Sequence, residues 1–291
     1  MLTLYETRVF FTRRVTGLAK INNLYYNCIM AENSDVEFLG KKIFFLHPSA
    51  LVQNQVVAEL GQEEFEVYFV KDEVKLRHLL KKYPASVVFA SINEGLRENA
   101  WEEWFRAVSS DKEIAGVDIG IIASSDEENT KRKYISEFHV SCGYTVQRAN
   151  VSALTKQLID ILNGVNAKGR RKYLRAITGK ETNTTVNLPM NGTFVNGLIK
   201  DISVVGFSCS FPEDPKIAKN SLFSDIQIRL QSQLLKAEGI VFGSRMDGDE
   251  KNYVILFSQR TSPDVRTRIR KYIQSCLQNK IDDELKEISR S

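Results

Sequence analysis

The sequence of 291 residues contains no long apolar stretch. No run approaches the roughly 18 apolar residues that cross a bilayer. The apolar residues near the beginning are interrupted by Arg8, Arg13, Arg14 and Lys20, so they form no core of a secretion signal. We therefore expect no membrane span.

Histidine and cysteine are scarce, with 3 and 4 residues respectively. Cys28, Cys142, Cys209 and Cys276 lie far apart without CxxC or Cys/His spacing, which is typical of reduced thiols in a cytoplasmic protein. Metalloprotease, nucleophile-elbow and paired metal-ligand motifs are missing from the sequence. The sequence predicts no enzyme, no metal site and no cofactor.

Charge of one sign is not in large excess, since the formal net charge is only +4. That value is too small to indicate bulk nucleic-acid binding, and no aromatic-rich basic strand that could stack bases is present. A local basic cluster between Lys168 and Arg175 can still attract an anion. A nucleic-acid-binding protein is the weakest of the functions considered.

The length suits two domains of ordinary size. We expect an extension at 1–40, a first domain at 41–165 and a second domain at 166–291. Met30 opens a more ordinary polar start, so it is an alternative to Met1. Gly, Asn and Lys cluster at Gly164–Gly169, where a helical pattern ends, and this segment is interpreted as the interdomain linker.

The first domain alternates strand-like and helical patterns, which favours a parallel sheet wrapped by helices, an α/β fold. Trp101, Trp104, Phe105 and Val108 have the spacing of one buried helix face, so both tryptophans are predicted to lie in the core. Ser152 is predicted to be the N-cap of the helix that carries Leu154, Leu158, Ile161 and Leu162. The predicted strands are Ile43–Leu46, Glu66–Val70, Ser86–Ala90, Val117–Ala123 and Tyr144–Gln147.

The second domain has short apolar runs separated by turns, which indicates a small all-β unit. A helix of about 27 residues should follow, with Ser262 as its N-cap and Pro263 in its first turn. Its second half either docks on the first domain, pairs with another subunit or frays. The predicted strands are Thr185–Leu188, Gly197–Val205, Phe207–Phe211, Ile226–Leu230, Gly239–Phe242 and Tyr253–Phe257.

Two short motifs lie about thirty residues apart: Arg171-Lys172-Tyr173-Leu174-Arg175, and Asp201-Ile202-Ser203-Val204-Val205-Gly206. An arginine fork matches phosphate oxygens and the O6/N7 edge of guanine, whereas a carboxylate accepts hydrogen bonds from guanine N1 and N2. In an extended segment Arg171 and Arg175 would point to one face, and Arg170 adds a third guanidinium. Ser203 would share a strand face with Asp201, and Gly206 suits a tight turn or a closely approaching ligand.

The motif pair resembles the RxxxR and [D/N]xSxxG signature of PilZ domains. This resemblance implies a six-stranded antiparallel β-barrel with a C-terminal helix, and it implies binding of the second messenger cyclic di-GMP. The implied ligand-binding residues are Arg170, Arg171, Arg175, Asp201, Ser203 and Gly206.

The five strand–helix repeats of the first domain resemble the receiver domain of response regulators in architecture only. A phosphorylatable receiver needs carboxylates for Mg²⁺ and an aspartate as phosphate acceptor. Here His47 and Pro48 follow the first strand, and Ser91 stands at the acceptor position. Ser124 and Arg148 match the family's hydroxyl and basic residues, but neither can bind Mg²⁺. We therefore expect a pseudo-receiver without phosphoryl chemistry.

Together these features predict a bacterial, cytoplasmic cyclic di-GMP effector that couples ligand binding to interdomain rearrangement or to a protein partner. The alternative is a PilZ-like adaptor between proteins that does not bind nucleotide. The partner, a homodimer and the output, whether motility, adhesion, envelope synthesis or transcription, remain open.

Overall fold

The computed structural model describes residues 40–147, 150–178 and 183–289. Two sheets account for the strands of these ranges, one parallel and one antiparallel. Most of the proposed extension at 1–40, including Met30, lies outside the described residues, as does Arg148.

The parallel sheet contains five strands in the order β2-β1-β3-β4-β5. This is the order of doubly wound receiver-like folds, so the expected α/β receiver-like fold is confirmed. Neighbouring strands of the sheet are paired in register. Ile43 of β1, for example, lies opposite Val67 on one side and Val87 on the other. The strands are β1 Ile43–Leu46, β2 Val67–Val70, β3 Val87–Ser91, β4 Asp118–Ala123 and β5 Tyr144–Val146.

Side-chain alternation along these strands produces two cores, one on each face of the sheet. Phe45 of β1 lies on the face covered by α1 and α5, whereas Phe44 lies on the face covered by α2, α3 and α4. Trp101 and Trp104 are buried in the second core, as predicted. The helices are α1 Val57–Gln62, α2 Glu73–Lys82, α3 Glu98–Ser110, α4 Glu128–Glu137 and α5 Val151–Gly164.

The predicted cap of α5 at Ser152 is wrong. The Asn150 side chain accepts a hydrogen bond from the Ala153 N–H instead, at 3.1 Å, and Ser152 already lies inside the helix. Asparagine and serine are comparable N-cap residues, so composition alone did not separate the two positions.

The antiparallel sheet closes into a barrel. Six strands form the ring β7-β8-β9-β12-β11-β10, and the further pairing of β8 with β9 completes the closure. The predicted six-stranded antiparallel barrel is therefore confirmed, and a seventh strand of two residues, β6, adds to β8. The strands are β6 Ala176–Ile177, β7 Thr185–Met190, β8 Thr193–Ser203, β9 Gly206–Ser210, β10 Leu222–Leu230, β11 Gln233–Asp247 and β12 Glu250–Phe257.

The C-terminal helix α6, Pro263–Ile288, has 26 residues, close to the predicted length. Ser262 caps it by accepting from the Val265 N–H, as predicted. Its apolar residues recur every four positions, and each step advances about 40° past a full turn. From Val265 to Leu285 the apolar stripe therefore rotates by about 200° around the helix.

This rotation lets α6 join two cores. Val265, Ile269 and Ile273 belong to the barrel core, whereas Ile281 is buried in the α2-α3-α4 core of the parallel sheet. Leu277 contacts both cores. Of the three possibilities left open by the sequence, docking on the first domain is the one observed.

Helix α6 also covers the edge strand β2. The side-chain amide of Gln278 accepts from the Phe69 N–H at 2.9 Å and donates to the Phe69 carbonyl at 3.0 Å. Gln274 donates to the Val67 carbonyl, two residues earlier. Both glutamines therefore satisfy backbone groups that an edge strand would otherwise expose.

Candidate ligand-binding site

The carboxyl edge of the parallel sheet carries no carboxylate directly after β1. His47 has a φ of +50° there, and its Nε2 lies 3.3 Å from Glu73 Oε2. The imidazole also contacts the Trp101 ring edge-on, with 5.7 Å between ring centroids. His47 is therefore packed into the domain and does not supply the acidic pair of a phosphorylatable receiver.

The acceptor position at the end of β3 is also without an acid. Ser91 is 3% exposed, and its Oγ has no hydrogen-bond partner among the described residues. Ser124 is exposed after β4, where its N–H donates to Asn93. Across residues 40–147, 150–178 and 183–289, no group of three or more His, Cys, Asp or Glu side chains could hold a metal ion.

The arginine-bearing segment lies between α5 and β6. It begins where Ala167 is anchored in the α1-α5 core, with its carbonyl accepting from the Lys41 N–H at 2.8 Å. Arg170 and Arg171 are exposed, and the chain bends at Lys172 and Tyr173. The segment is therefore not a continuous extended strand before β6 begins.

Arg175 and Asp201 are brought together by the pairing of β6 with β8. Arg175 Nη1 lies 3.7 Å from Asp201 Oδ1, and the two side chains are 17% and 23% exposed. Asp201 also accepts a hydrogen bond from the Ser208 hydroxyl on β9. A β-bulge between Ile199 and Asp201 shifts the register of β8 relative to β9. The result is a fixed carboxylate beside a guanidinium.

Ser203 and Gly206 shape the turn between β8 and β9. The Ser203 hydroxyl donates to the Gly206 carbonyl at 3.1 Å and accepts from the Val205 N–H at 3.4 Å, and the residue is 2% exposed. A Cβ on Gly206 would lie 2.3 Å from the Ile255 carbonyl oxygen. The close neighbour of this glycine is therefore the backbone of β12, which explains the residue without any ligand contact.

Arg171 and Arg175 line one small cavity of about 80 Å³. Its opposite wall comes from the first domain, which contributes Lys41, Glu64 and Glu66. Leu277 of α6 closes the cavity. The two arginines of the RxxxR motif thus line the same cleft, which lies between the two domains.

Glu64 of this cleft is held by two hydrogen-bond partners. Its Oε2 accepts from the Leu174 N–H at 2.9 Å, and its Oε1 pairs with Arg270 Nη2 at 3.2 Å. Burial raises the pKa of Glu64, whereas the Leu174 N–H, Arg270 and Lys168 each act to lower it. The first domain therefore contacts the backbone of the arginine motif directly.

Sequence reasoning missed Glu64, Glu66 and Lys41 as neighbours of the site. They carry no motif, and Glu64 is 110 residues away from Leu174 along the chain. Ser208 was also missed, although strand pairing opposite Asp201 is the signal that could have found it.

Residues 169–275 match the family model described as PilZ domain. This match covers the arginine segment, the barrel and the first half of α6, and the predicted PilZ domain is confirmed. No curated protein matches the chain. Among the described residues, no helix has the length and apolar content needed to cross a membrane.

Three solved structures are similar to parts of this chain. The PilZ domain of YcgR from Escherichia coli with c-di-GMP is 14% identical, covering 42% of this chain and 98% of that one, with a TM-score of 0.33. The longer structure of YcgR in complex with c-di-GMP is 15% identical over 42% of this chain, with a TM-score of 0.33, and the match spans only 50% of YcgR. The chemotaxis response regulator CheY4 of Vibrio cholerae is 18% identical, covering 42% of this chain and 99% of that one, with a TM-score of 0.36.

Proposed function

We propose that this chain is a cytoplasmic, non-enzymatic effector that binds cyclic di-GMP through the segment preceding β6 and the adjoining end of β8. The observation that carries the proposal is that Arg171 and Arg175 of a PilZ domain line one cleft and that Asp201 pairs with Arg175. Two guanidinium groups match the phosphodiesters and the O6/N7 edges of the ligand, and a carboxylate matches guanine N1 and N2.

The six proposed site residues divide into two groups by their proposed roles. Arg170, Arg171 and Arg175 supply guanidinium groups, and Asp201 supplies the carboxylate. Ser203 and Gly206 form the turn that ends the Asp201 strand, so we propose that they hold the carboxylate in place. Exposed Arg170 would contact the outer side of the ligand.

We propose further that residues 41–165 and 166–291 act as two domains whose relative position responds to the ligand. The arginine segment is attached to both of them, through Ala167 and Glu64 on one side and β6 on the other. A ligand that binds the arginines therefore acts on the joint between the domains, and a protein partner would recognise the resulting arrangement. The expected sign is a change in small-angle scattering on addition of cyclic di-GMP.

Isothermal titration calorimetry tests the ligand assignment. Replacing Arg171 or Arg175 by Ala should each cost about 1.5 to 3 kcal/mol of binding free energy, or roughly ten- to 150-fold in affinity. Arg229→Ala is the matched control, because Arg229 is an exposed arginine of β10, and β7 separates β10 from the Asp201 strand β8. Equal affinity in all four proteins would remove the site assignment. Absence of binding in the wild type would favour the protein adaptor instead.

A further inference from the structure

Glu64 stands at an unusual point of the first domain. It follows α1 with a φ of +61°, in the left-handed region that non-glycine residues seldom adopt. Its side chain is only 13% exposed. This conformation belongs to the C-terminal cap of α1, in which the Glu64 N–H donates to the Gly61 carbonyl at 3.2 Å and the Phe65 N–H donates to the Leu60 carbonyl at 3.1 Å. The side chain of Glu64 makes its contacts with the other domain.

Both partners of Glu64 belong to the PilZ domain. The Leu174 N–H lies in the middle of the RxxxR motif, between Arg171 and Arg175, and Arg270 lies on α6. The Leu174 side chain packs partly buried against the barrel core. Glu64 and Leu174 also line a second interdomain cavity of about 250 Å³ on their other side. One carboxylate therefore attaches the arginine segment to the first domain.

The arrangement held by Glu64 is too narrow for the proposed ligand. Cavities that bury a small molecule of this class usually measure about 300 Å³ or more. The cleft beside Arg171 and Arg175 measures about 80 Å³. The segment must therefore move away from Glu64 and Glu66 before a dinucleotide with two guanines can enter between the domains.

Electrostatics acts in the same direction. Glu64 and Glu66 line the cleft together with the two arginines, and their carboxylates pair with Arg270 and Lys42 respectively. They also repel a ligand that carries two phosphodiester charges. The narrow cleft and the two carboxylates of the first domain therefore oppose binding, whereas Lys41 of the same domain favours an anion.

We propose that Glu64 is an inhibitory latch, which holds the arginine segment in its closed position and must release the Leu174 N–H when the nucleotide binds. The inference rests on the proposed cyclic di-GMP site. By linkage, whatever stabilises the Glu64–Leu174 contact weakens nucleotide binding, and the nucleotide weakens the contact by the same factor.

Titration calorimetry of the full chain with cyclic di-GMP tests the latch. Glu64→Ala should bind about five- to thirtyfold more tightly than the wild type, a gain in the lower part of the usual range for a coupling between two sites. Glu63→Ala is the matched control, because Glu63 is one residue away, is 53% exposed and pairs with Lys168 at 3.7 Å. It removes the same charge near the segment but leaves the Leu174 contact intact, so its affinity should stay within about twofold of the wild type.

A second variant and a second measurement separate a latch from a merely structural residue. Glu64→Gln keeps an oxygen that accepts from Leu174 but lacks the charge, so its gain in affinity should be smaller than that of Glu64→Ala. Hydrogen exchange should show faster exchange of the Leu174 amide in Glu64→Ala than in the wild type or Glu63→Ala. If Glu64→Ala does not fold, the affinity of Glu64→Gln for cyclic di-GMP alone tests the latch, and tighter binding than in the wild type supports it.

The outcomes distinguish the latch from the site itself. Wild-type binding with unchanged or weaker affinity in the Glu64 variants would overturn the latch and leave the proposed function standing. An equal gain in Glu63→Ala would assign the effect to general charge and overturn the latch as well. No binding by any variant would overturn the proposed function, and the latch with it.

Discussion

Arg175 and Asp201 form an ion pair within the proposed site. Their 3.7 Å ion pair is mostly buried, and the Ser208 hydroxyl keeps the carboxylate in place. Guanine presents acceptors on one edge and donors on another, so one base can address both members of such a pair. If the proposed site binds guanine in this way, the fork geometry of the arginine should matter as well as its charge.

Arg175→Lys separates geometry from charge. The lysine keeps the positive charge but cannot make two parallel hydrogen bonds, so affinity for cyclic di-GMP should fall by about tenfold or more. Calorimetry measures the affinity, and Arg229→Lys on β10 provides the matched control. Wild-type affinity in Arg175→Lys would mean that Arg175 contributes only charge.

Asp214 provides a pH-dependent contribution to the stability of the barrel. The Tyr253 hydroxyl, the Lys216 N–H and the Lys251 ammonium hold the pKa of Asp214 at about 2, below its ordinary value of 3.8. A lowered carboxyl pKa stabilises the folded state above the ordinary value, and this contribution is lost as the pH falls through the folded pKa.

Asp214→Asn should therefore lower the melting temperature at pH 7, and the difference from wild type should shrink between about pH 4 and pH 2. Thermal unfolding followed by circular dichroism at several pH values measures it. Asp249→Asn, in the exposed turn between β11 and β12, is the control and should show no comparable pH-dependent difference. A difference that stays constant down to pH 2 would contradict the role of the Asp214 charge.

At the scale of elements, helix α6 links two cores through the rotation of its apolar stripe. Ile269 is fully buried in the barrel, and Ile281, 1% exposed, lies in the core of the other domain. Gln274 and Gln278 occupy the face between them and bind the edge of β2. The helix thus acts as a structural part of both domains.

Ile281→Ala should destabilise the protein by about 2 to 5 kcal/mol, because it leaves a cavity in a close-packed core. Urea denaturation measures the change. Lys280→Ala is the neighbouring control on the exposed face of the helix, where a substitution should change stability by less than about 0.5 kcal/mol. A loss as small as that in Ile281→Ala would show that the second half of α6 does not pack on the first domain in solution.

At the scale of the whole molecule, the domains meet at the arginine segment, at Glu64 and along α6. If cyclic di-GMP releases Leu174 from Glu64, the protection of residues 168–176 should change and the domains should shift. Hydrogen exchange and small-angle scattering with and without the nucleotide measure the two effects, and Arg171→Ala is the control that should show neither. Binding without either change would favour a passive surface that recruits partners through the bound nucleotide.

Much of this organisation follows from local sequence. Ile43–Leu46 is a strand with the predicted bounds, and Ser262 begins α6 as expected, because alternation and capping are local signals. Strand β6 was missed because two residues carry no periodicity. The role of Ser203 could not be predicted from the sequence, because the motif is the same whether the serine hydroxyl closes a turn or contacts a ligand. The Glu64 contacts depend on tertiary packing between distant segments.

The position of Ile281 also affects how the protein forms during synthesis. The parallel sheet is complete once β5 has emerged, but Ile281 follows Val146 by some 135 residues. At ordinary translation rates the gap lasts on the order of ten seconds. During that interval the β2 edge and part of the α2-α3-α4 core of the nascent first domain are uncovered. We therefore expect chaperones to bind the chain at this stage of synthesis.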